Sequence, residues 1–142
     1  MSKKYVIRGD SMKPFLKDGD IVSPIETDRL ELGDVVIFTA DDNMKVFHRV
    51  VLINRFETKC KGDNCLHFDW IRYNFGSKYL VIRQSQKESI AKLSKYWGDK
   101  YFNRYKKNPD KFQKVNLYVR LMRTLQQISM KILRLYLLLF KR

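Results

Sequence analysis

The sequence has few cysteines and no long apolar run, and each absence excludes a class of protein. Two cysteines among 142 residues cannot form a disulfide scaffold, which fits a reducing compartment without requiring one. No apolar stretch reaches the ~18–20 residues that a membrane-spanning helix needs, and the N-terminus does not resemble a signal peptide. We therefore expect a cytoplasmic or peripherally membrane-associated protein without a signal peptide or a transmembrane segment.

Acidic residues are scarce in the C-terminal part of the chain. Residues 1–85 carry 14 Lys and Arg against 12 Asp and Glu, whereas residues 86–142 carry 15 against 3. The formal net charge of +14 therefore belongs mainly to the C-terminal region, which indicates contact with an anionic partner.

Apolar residues make up 44% of the chain, which is enough for one core of ordinary size and excludes a disordered protein.

The spacing of apolar residues changes near residue 85. Before it, short apolar runs alternate with turn residues, and they predict strands over 5–7, 18–26, 34–40, 44–54 and 78–84. After it, apolar residues recur every three or four positions, which predicts helices over 86–107 and 115–142 with a break at Asn108-Pro109. The sequence thus predicts a mainly β, mostly antiparallel body over 1–85 and a helical, basic C-terminal extension over 86–142.

The segment GDSMKPFLKDGDIV, residues 9–22, contains a candidate nucleophile. A tight turn there would hold the Ser11 hydroxyl at the mouth of the β body and let the Ser11 amide face a developing oxyanion. Met12 and Pro14, one and three residues after Ser11, are the other candidates for the substrate and oxyanion region. A structural turn without catalytic function is the alternative interpretation.

A serine hydroxyl is a poor nucleophile until a neighbouring base takes its proton. The segment VFHRVV, residues 46–51, supplies His48 as that base, and Lys45 is the competing candidate. Residues 45 and 48 of a regular strand point to opposite faces, so both cannot face Ser11 without a bulge. The pattern favours His48.

Three motifs in this order resemble the type I signal peptidases and the LexA-like serine peptidases. They are the Ser11 segment, the His48 strand and TKCKGDNC, residues 58–65. The histidine at position 48 is similar to the endoplasmic-reticulum and archaeal type, whereas other members carry a lysine base there. The resemblance implies that Asp63 completes the catalytic set by orienting His48. Asp69 is a weaker alternative, and Gly-Asp-Asn is also ordinary turn chemistry.

The resemblance implies a serine endopeptidase with the signal-peptidase catalytic β-fold, which cleaves a leader or signal segment from a partner polypeptide. It implies no cofactor and no metal ion. The membrane anchor that signal peptidases carry before the serine is missing from the ten residues ahead of Ser11, and Gly9 stands where several relatives have a serine. The alternative function is a non-catalytic module of the same fold that binds an anionic membrane surface or nucleic acid through its basic helices.

Two further features leave several interpretations open. Cys60, Cys65 and His67 fall short of the usual four zinc ligands, so we expect core packing or a loop-stapling disulfide instead. The basic helix predicted over 115–142 suits the surface of an anionic membrane, but its apolar stripe could equally dock on the body or form a homodimer. Binding to nucleic acid is the least favoured partner.

Overall fold

Two helices follow eight short strands along the chain. The structure is a computed structural model that describes residues 3–40, 43–71, 77–107 and 117–140. Within them the elements are β1 (Tyr5–Val6), β2 (Ile21–Val22), β3 (Ile25–Thr27), β4 (Val35–Thr39), β5 (Lys45–Ile53), β6 (Thr58–Lys61), β7 (Asp69–Ile71), β8 (Tyr79–Ile82), α1 (Lys87–Lys107) and α2 (Leu117–Phe140).

The strands form two antiparallel sheets. Six of them pair in the order β3-β8-β4-β5-β6-β7, while β1 and β2 form a separate two-stranded ribbon. Strand β5 lies inside the larger sheet, where Val36 pairs with His48. On the next two strands, Cys60 of β6 pairs with Asp69 of β7. The sheet thus places Asp69 two strands away from His48.

Apolar side chains are buried on both faces of the larger sheet. On β4, Val35 and Ile37 belong to one cluster with Met12, whereas Val36, which points the other way, packs with Val50 in a second cluster. Burial on both faces explains why β4 and β5 have nearly continuous apolar runs instead of an alternating pattern.

Helix α1 begins in close contact with the loop before β4. A Cβ atom at Gly33 would stand 2.5 Å from the Lys87 backbone, and Gly33 has φ +88°, so only glycine suits this position. The Lys87 ammonium donates to the buried Asp34 carboxylate at 2.7 Å. This ion pair fixes the first turn of α1 against the sheet.

Helix α2 packs against α1 and the loop after β6. Met122 is buried with Leu66 and Trp97, and the Trp97 indole donates to the Ser129 hydroxyl at 2.7 Å. One side of α2 is therefore part of the folded body.

The predicted fold class is only partly correct. The β body and the C-terminal helices are present, but α1 and α2 comprise 21 and 24 residues, so the protein is a mixed α and β structure instead of a mainly β one. All five predicted strand regions contain strands, and β6 and β7 were not predicted. The predicted break at Asn108-Pro109 lies outside the described residues.

Candidate active site

Ser11 lies in the loop that joins β1 to β2. Gly9 has φ +82°, and its N–H donates to the Asp18 carboxylate at 2.8 Å, which closes the loop on itself. Ser11 is half-buried, and neither its N–H nor its hydroxyl bonds to any other residue that the structure describes.

Met12 and Pro14 have different surroundings. The Met12 side chain is only 1% exposed and packs in the core, so it anchors the loop, and its place in the substrate and oxyanion region stays a prediction. Pro14 is half-buried and lines a cavity beside the loop.

His48 lies on β5 and is nearly buried, with 8% of its surface exposed. Its Nδ1 donates to the Asp69 carboxylate, and its ring meets the Phe38 ring edge to face at a centroid distance of 6.0 Å. Because Asp69 binds Nδ1 and Phe38 packs against the ring, the imidazole has a fixed orientation. Nε2 is the nitrogen that Asp69 does not bind, and the Cys65 thiol also interacts with the imidazole.

Gly62 marks the point where the imidazole and the nucleophile loop meet. A Cβ atom built on Gly62 would lie 3.0 Å from His48 Nε2, 2.7 Å from the Ser11 carbonyl oxygen and 2.7 Å from the Cys65 sulfur. The loop backbone and Nε2 are thus neighbours. Within the described part of the chain, however, the Ser11 hydroxyl does not hydrogen-bond to His48. Hydrogen bonds between catalytic groups are often long or poorly aligned when no substrate is bound.

His48 is an unusually strong base for an imidazole. Burial is the largest single influence on its pKa and lowers it. The hydrogen bond and charge of Asp69, together with the Cys65 thiol, outweigh burial and raise the pKa of His48 to about 9.

Asp63 does not contact His48, which corrects the predicted geometry. Its carboxylate is completely buried and accepts hydrogen bonds from Arg49 Nε at 2.9 Å and from Arg49 Nη2 at 2.8 Å. His48 and Arg49 are consecutive on β5, so their side chains point to opposite faces of the sheet. Asp63 lies on the Arg49 face, and the His48 partner is Asp69, the weaker alternative of the sequence analysis.

Two glutamines of α2 hold the loop that follows β6. Gln126 is buried and donates through Nε2 to the carbonyl oxygens of Asp63 and Cys65, at 2.7 and 2.8 Å. Gln127 donates to Asn64 Oδ1 at 2.9 Å, and the Asn64 N–H donates to the Ser11 carbonyl at 2.7 Å. A continuous series of hydrogen bonds thus joins α2 to the nucleophile loop.

This geometry was compared with known proteins. No protein-family model, curated protein or solved structure matches the chain.

Lys61 is a buried cation that the sequence analysis missed. Burial lowers its pKa to about 8, against the opposing charges of Asp63 and Cys65. Its ammonium donates to the Gly62 carbonyl and to the Ser94 hydroxyl, both at 3.2 Å. The sequence contains a feature that could have identified Lys61, because this lysine is the first residue of the Lys-Gly-Asp-Asn motif at the end of β6.

Of the other candidate residues, Lys45 lies apart from His48 and Ser11, and the two cysteines and His67 form no metal site among the described residues. Lys45 is exposed at the start of β5 and donates to the Thr39 hydroxyl. Cys60 and Cys65 are free thiols, and burial raises the pKa of Cys60 to about 12. His67 is exposed. Across the described ranges, no three His, Cys, Asp or Glu side chains are arranged to hold a metal ion.

Proposed function

We propose that this protein is a serine endopeptidase of the signal-peptidase type that cleaves a leader or signal segment from a partner polypeptide. The observation that carries the proposal is the His48 imidazole, bound by Asp69 at Nδ1 and with Nε2 next to the Ser11 loop. A carboxylate–imidazole pair near a serine whose hydroxyl has no hydrogen-bond partner among the described residues supports nucleophilic acyl transfer. The antiparallel body is consistent with the signal-peptidase catalytic fold.

The proposed reaction begins when Ser11 Oγ attacks the scissile carbonyl and His48 Nε2 takes the hydroxyl proton. Asp69 stabilises the resulting imidazolium, and the Ser11 N–H stabilises the oxyanion. The tetrahedral intermediate collapses as His48 returns the proton to the leaving amine, which leaves an ester on Ser11. Water, deprotonated by His48, then hydrolyses the ester and regenerates the serine. Asp63 takes no part, because its carboxylate is bound to Arg49.

The test is cleavage of a panel of signal and leader peptides that have small residues before the scissile bond. Purified protein should cut at least one of them at a single bond, and Ser11→Ala should abolish the cleavage. Ser23→Ala is the matched control, since Ser23 is an exposed serine outside the loop. A serine-directed fluorophosphonate should label Ser11 and no other serine. The proposal fails if Ser11→Ala retains the activity of Ser23→Ala.

A second candidate function, attachment to an anionic membrane surface, is favoured by the outer side of α2. Leu121, Leu125, Ile128, Ile132 and Leu139 are 43–62% exposed and lie on one stripe of the helix. We define these five residues as the apolar stripe. Residues 117–140 contain four Lys and Arg and no Asp or Glu, so the charge suits anionic lipid and repels a second copy of the helix. Of the described helices, none is long and apolar enough to cross a membrane.

A further inference from the structure

A cavity of about 650 Å³ separates the nucleophile loop from α2. The loop side contributes Asp10, Lys13 and Lys17, and the helix side contributes Lys131 and Arg134. The volume is that of an ordinary ligand-binding cleft. The cavity lies outside the His48–Asp69 pair, and the proposed reaction makes no use of it.

Basic side chains dominate this cavity. Four Lys and Arg face one carboxylate, Asp10, which is already paired with Lys13 at 2.8 Å. Lys17, Lys131 and Arg134 form no ion pair with any residue that the structure describes. Three cations without counter-charges in one concave site favour an occupant that carries several negative charges.

The cavity adjoins the candidate nucleophile. Asp10 precedes Ser11, and Asn64, which also lines the cavity, donates its N–H to the Ser11 carbonyl at 2.7 Å. A molecule in the cavity therefore lies beside the loop that carries the serine. A polypeptide that presents its scissile bond to Ser11 can place its neighbouring residues there.

We propose that this cavity binds an acidic segment of the polypeptide substrate, next to the bond that is cut. Its carboxylates pair with Lys17, Lys131 and Arg134, and its apolar side chains pack on Leu135 and Leu138, which complete the wall. That the bound segment belongs to a substrate rests on the proposed endopeptidase function. That the cavity prefers an acidic peptide rests on the cavity alone. The enzyme would then select substrates by charge as well as by small residues at the scissile bond.

Peptide binding tests this preference without depending on cleavage. The full-length Ser11→Ala protein is titrated into fluorescein-labelled peptides that contain Ala-Gln-Ala followed or preceded by four Glu, and into matched peptides with four Gln. We expect at least one Glu peptide to bind about tenfold more tightly than its Gln counterpart at low salt, with the difference shrinking as salt is added. The double variant K131Q/R134Q should remove this difference.

The matched control is R120Q/R123Q, which makes the same charge change on α2 outside the cavity. It should leave the preference for Glu peptides unchanged. Equal affinity for Glu and Gln peptides would overturn the inference, and so would an equal loss in the two double variants. Cleavage by the wild-type protein is measured separately with the same peptides. Preference without cleavage contradicts only the endopeptidase proposal, whereas cleavage without preference contradicts only the cavity inference.

Discussion

Two aspartates near His48 have separate tasks. Asp69 is partly exposed and binds the imidazole, whereas Asp63 is fully buried and neutralises Arg49. The same Arg49 also donates to the Gly33 carbonyl at 2.9 Å, so the Asp63–Arg49 pair ties the loop after β6 to the turn before β4. The proposed catalytic chemistry and the local stability therefore depend on different carboxylates, and single substitutions can separate them.

The first prediction concerns pH and Asp69. A general base must be neutral, and the pKa of His48 is about 9, so kcat/KM should rise about tenfold per pH unit from pH 6 to 8 and level off near pH 9. Asp69→Asn removes the larger of the two raising influences and leaves burial and Cys65, so the inflection should move to lower pH while the maximal rate falls on the order of 10⁴-fold. NMR titration of His48, with His67→Gln removing the only other imidazole, checks the pKa directly. An unchanged inflection in Asp69→Asn would contradict the assignment.

The second prediction concerns Asp63. Asp63→Asn leaves the Arg49 guanidinium buried without its counter-charge, because both side chains have no exposed surface. Removing one partner of such a pair should lower the free energy of unfolding by about 3–5 kcal/mol, measured by urea denaturation at pH 7. Asp69→Asn serves as the comparison, since Asp69 is one-third exposed and its loss should cost clearly less. Equal destabilisation by the two variants would show that Asp63 has no special structural task.

At the scale of elements, the sequence predicted the helices and the strands that contain an apolar run, and it missed two short strands that decide the site. Apolar runs marked β1 to β5 and β8, and the three-to-four spacing marked α1 and α2. Strands β6 and β7 have the sequences TKCK and DWI, in which polar residues leave no apolar run that would distinguish a strand from a turn. Asp69 belongs to β7, and without that strand its pairing opposite Cys60 could not be anticipated. The choice of Asp63 followed from its motif, which carries no information about sheet faces.

Helix α2 is an integral part of the candidate site. The sequence indicated a basic extension that meets an external partner, because composition shows charge but not which side chains are buried. In the structure, Gln126 reaches between the carbonyl oxygens of Asp63 and Cys65, and Gln127 binds Asn64. The helix thereby holds the loop that carries Gly62, where an added Cβ atom would lie within 3.0 Å of both His48 Nε2 and the Ser11 carbonyl oxygen.

The third prediction tests this role of α2. Gln126→Leu keeps the approximate volume but removes the donor to two carbonyl oxygens, so the free energy of unfolding should fall by about 1–3 kcal/mol. Activity should fall further than stability accounts for, because the loop beside His48 loses its support. Peptide cleavage is therefore assayed well below the unfolding temperature of the variant. Gln127→Ala, which loses a single bond to half-buried Asn64, is the milder control. Full activity in a destabilised Gln126→Leu protein would limit α2 to a structural role.

At the scale of the whole molecule, the three sides of α2 have different surroundings. Met122, Gln126 and Met130 are buried against the body, Lys131 and Arg134 line the cavity, and the apolar stripe remains exposed. Because the cavity and the apolar stripe share one helix, attachment to a surface through the stripe would leave the buried side in place and hold the candidate active site close to that surface. A membrane-bound precursor would then reach the candidate active site by diffusion along the membrane surface.

The fourth prediction tests attachment through the apolar stripe. The protein should float with vesicles that contain about 30% anionic lipid but not with neutral vesicles, because both apolar burial and charge attraction are needed. L125Q/I132Q removes two large side chains from the exposed stripe and should abolish flotation, while leaving the free energy of unfolding within about 0.5 kcal/mol of wild type. K131Q/R134Q keeps the stripe and should weaken flotation only in proportion to the lost charge. The opposite result would be a protein that floats with no vesicle and sediments as a dimer that L125Q/I132Q dissociates. The apolar stripe would then be an interface between two copies of the chain, and the membrane proposal would be wrong.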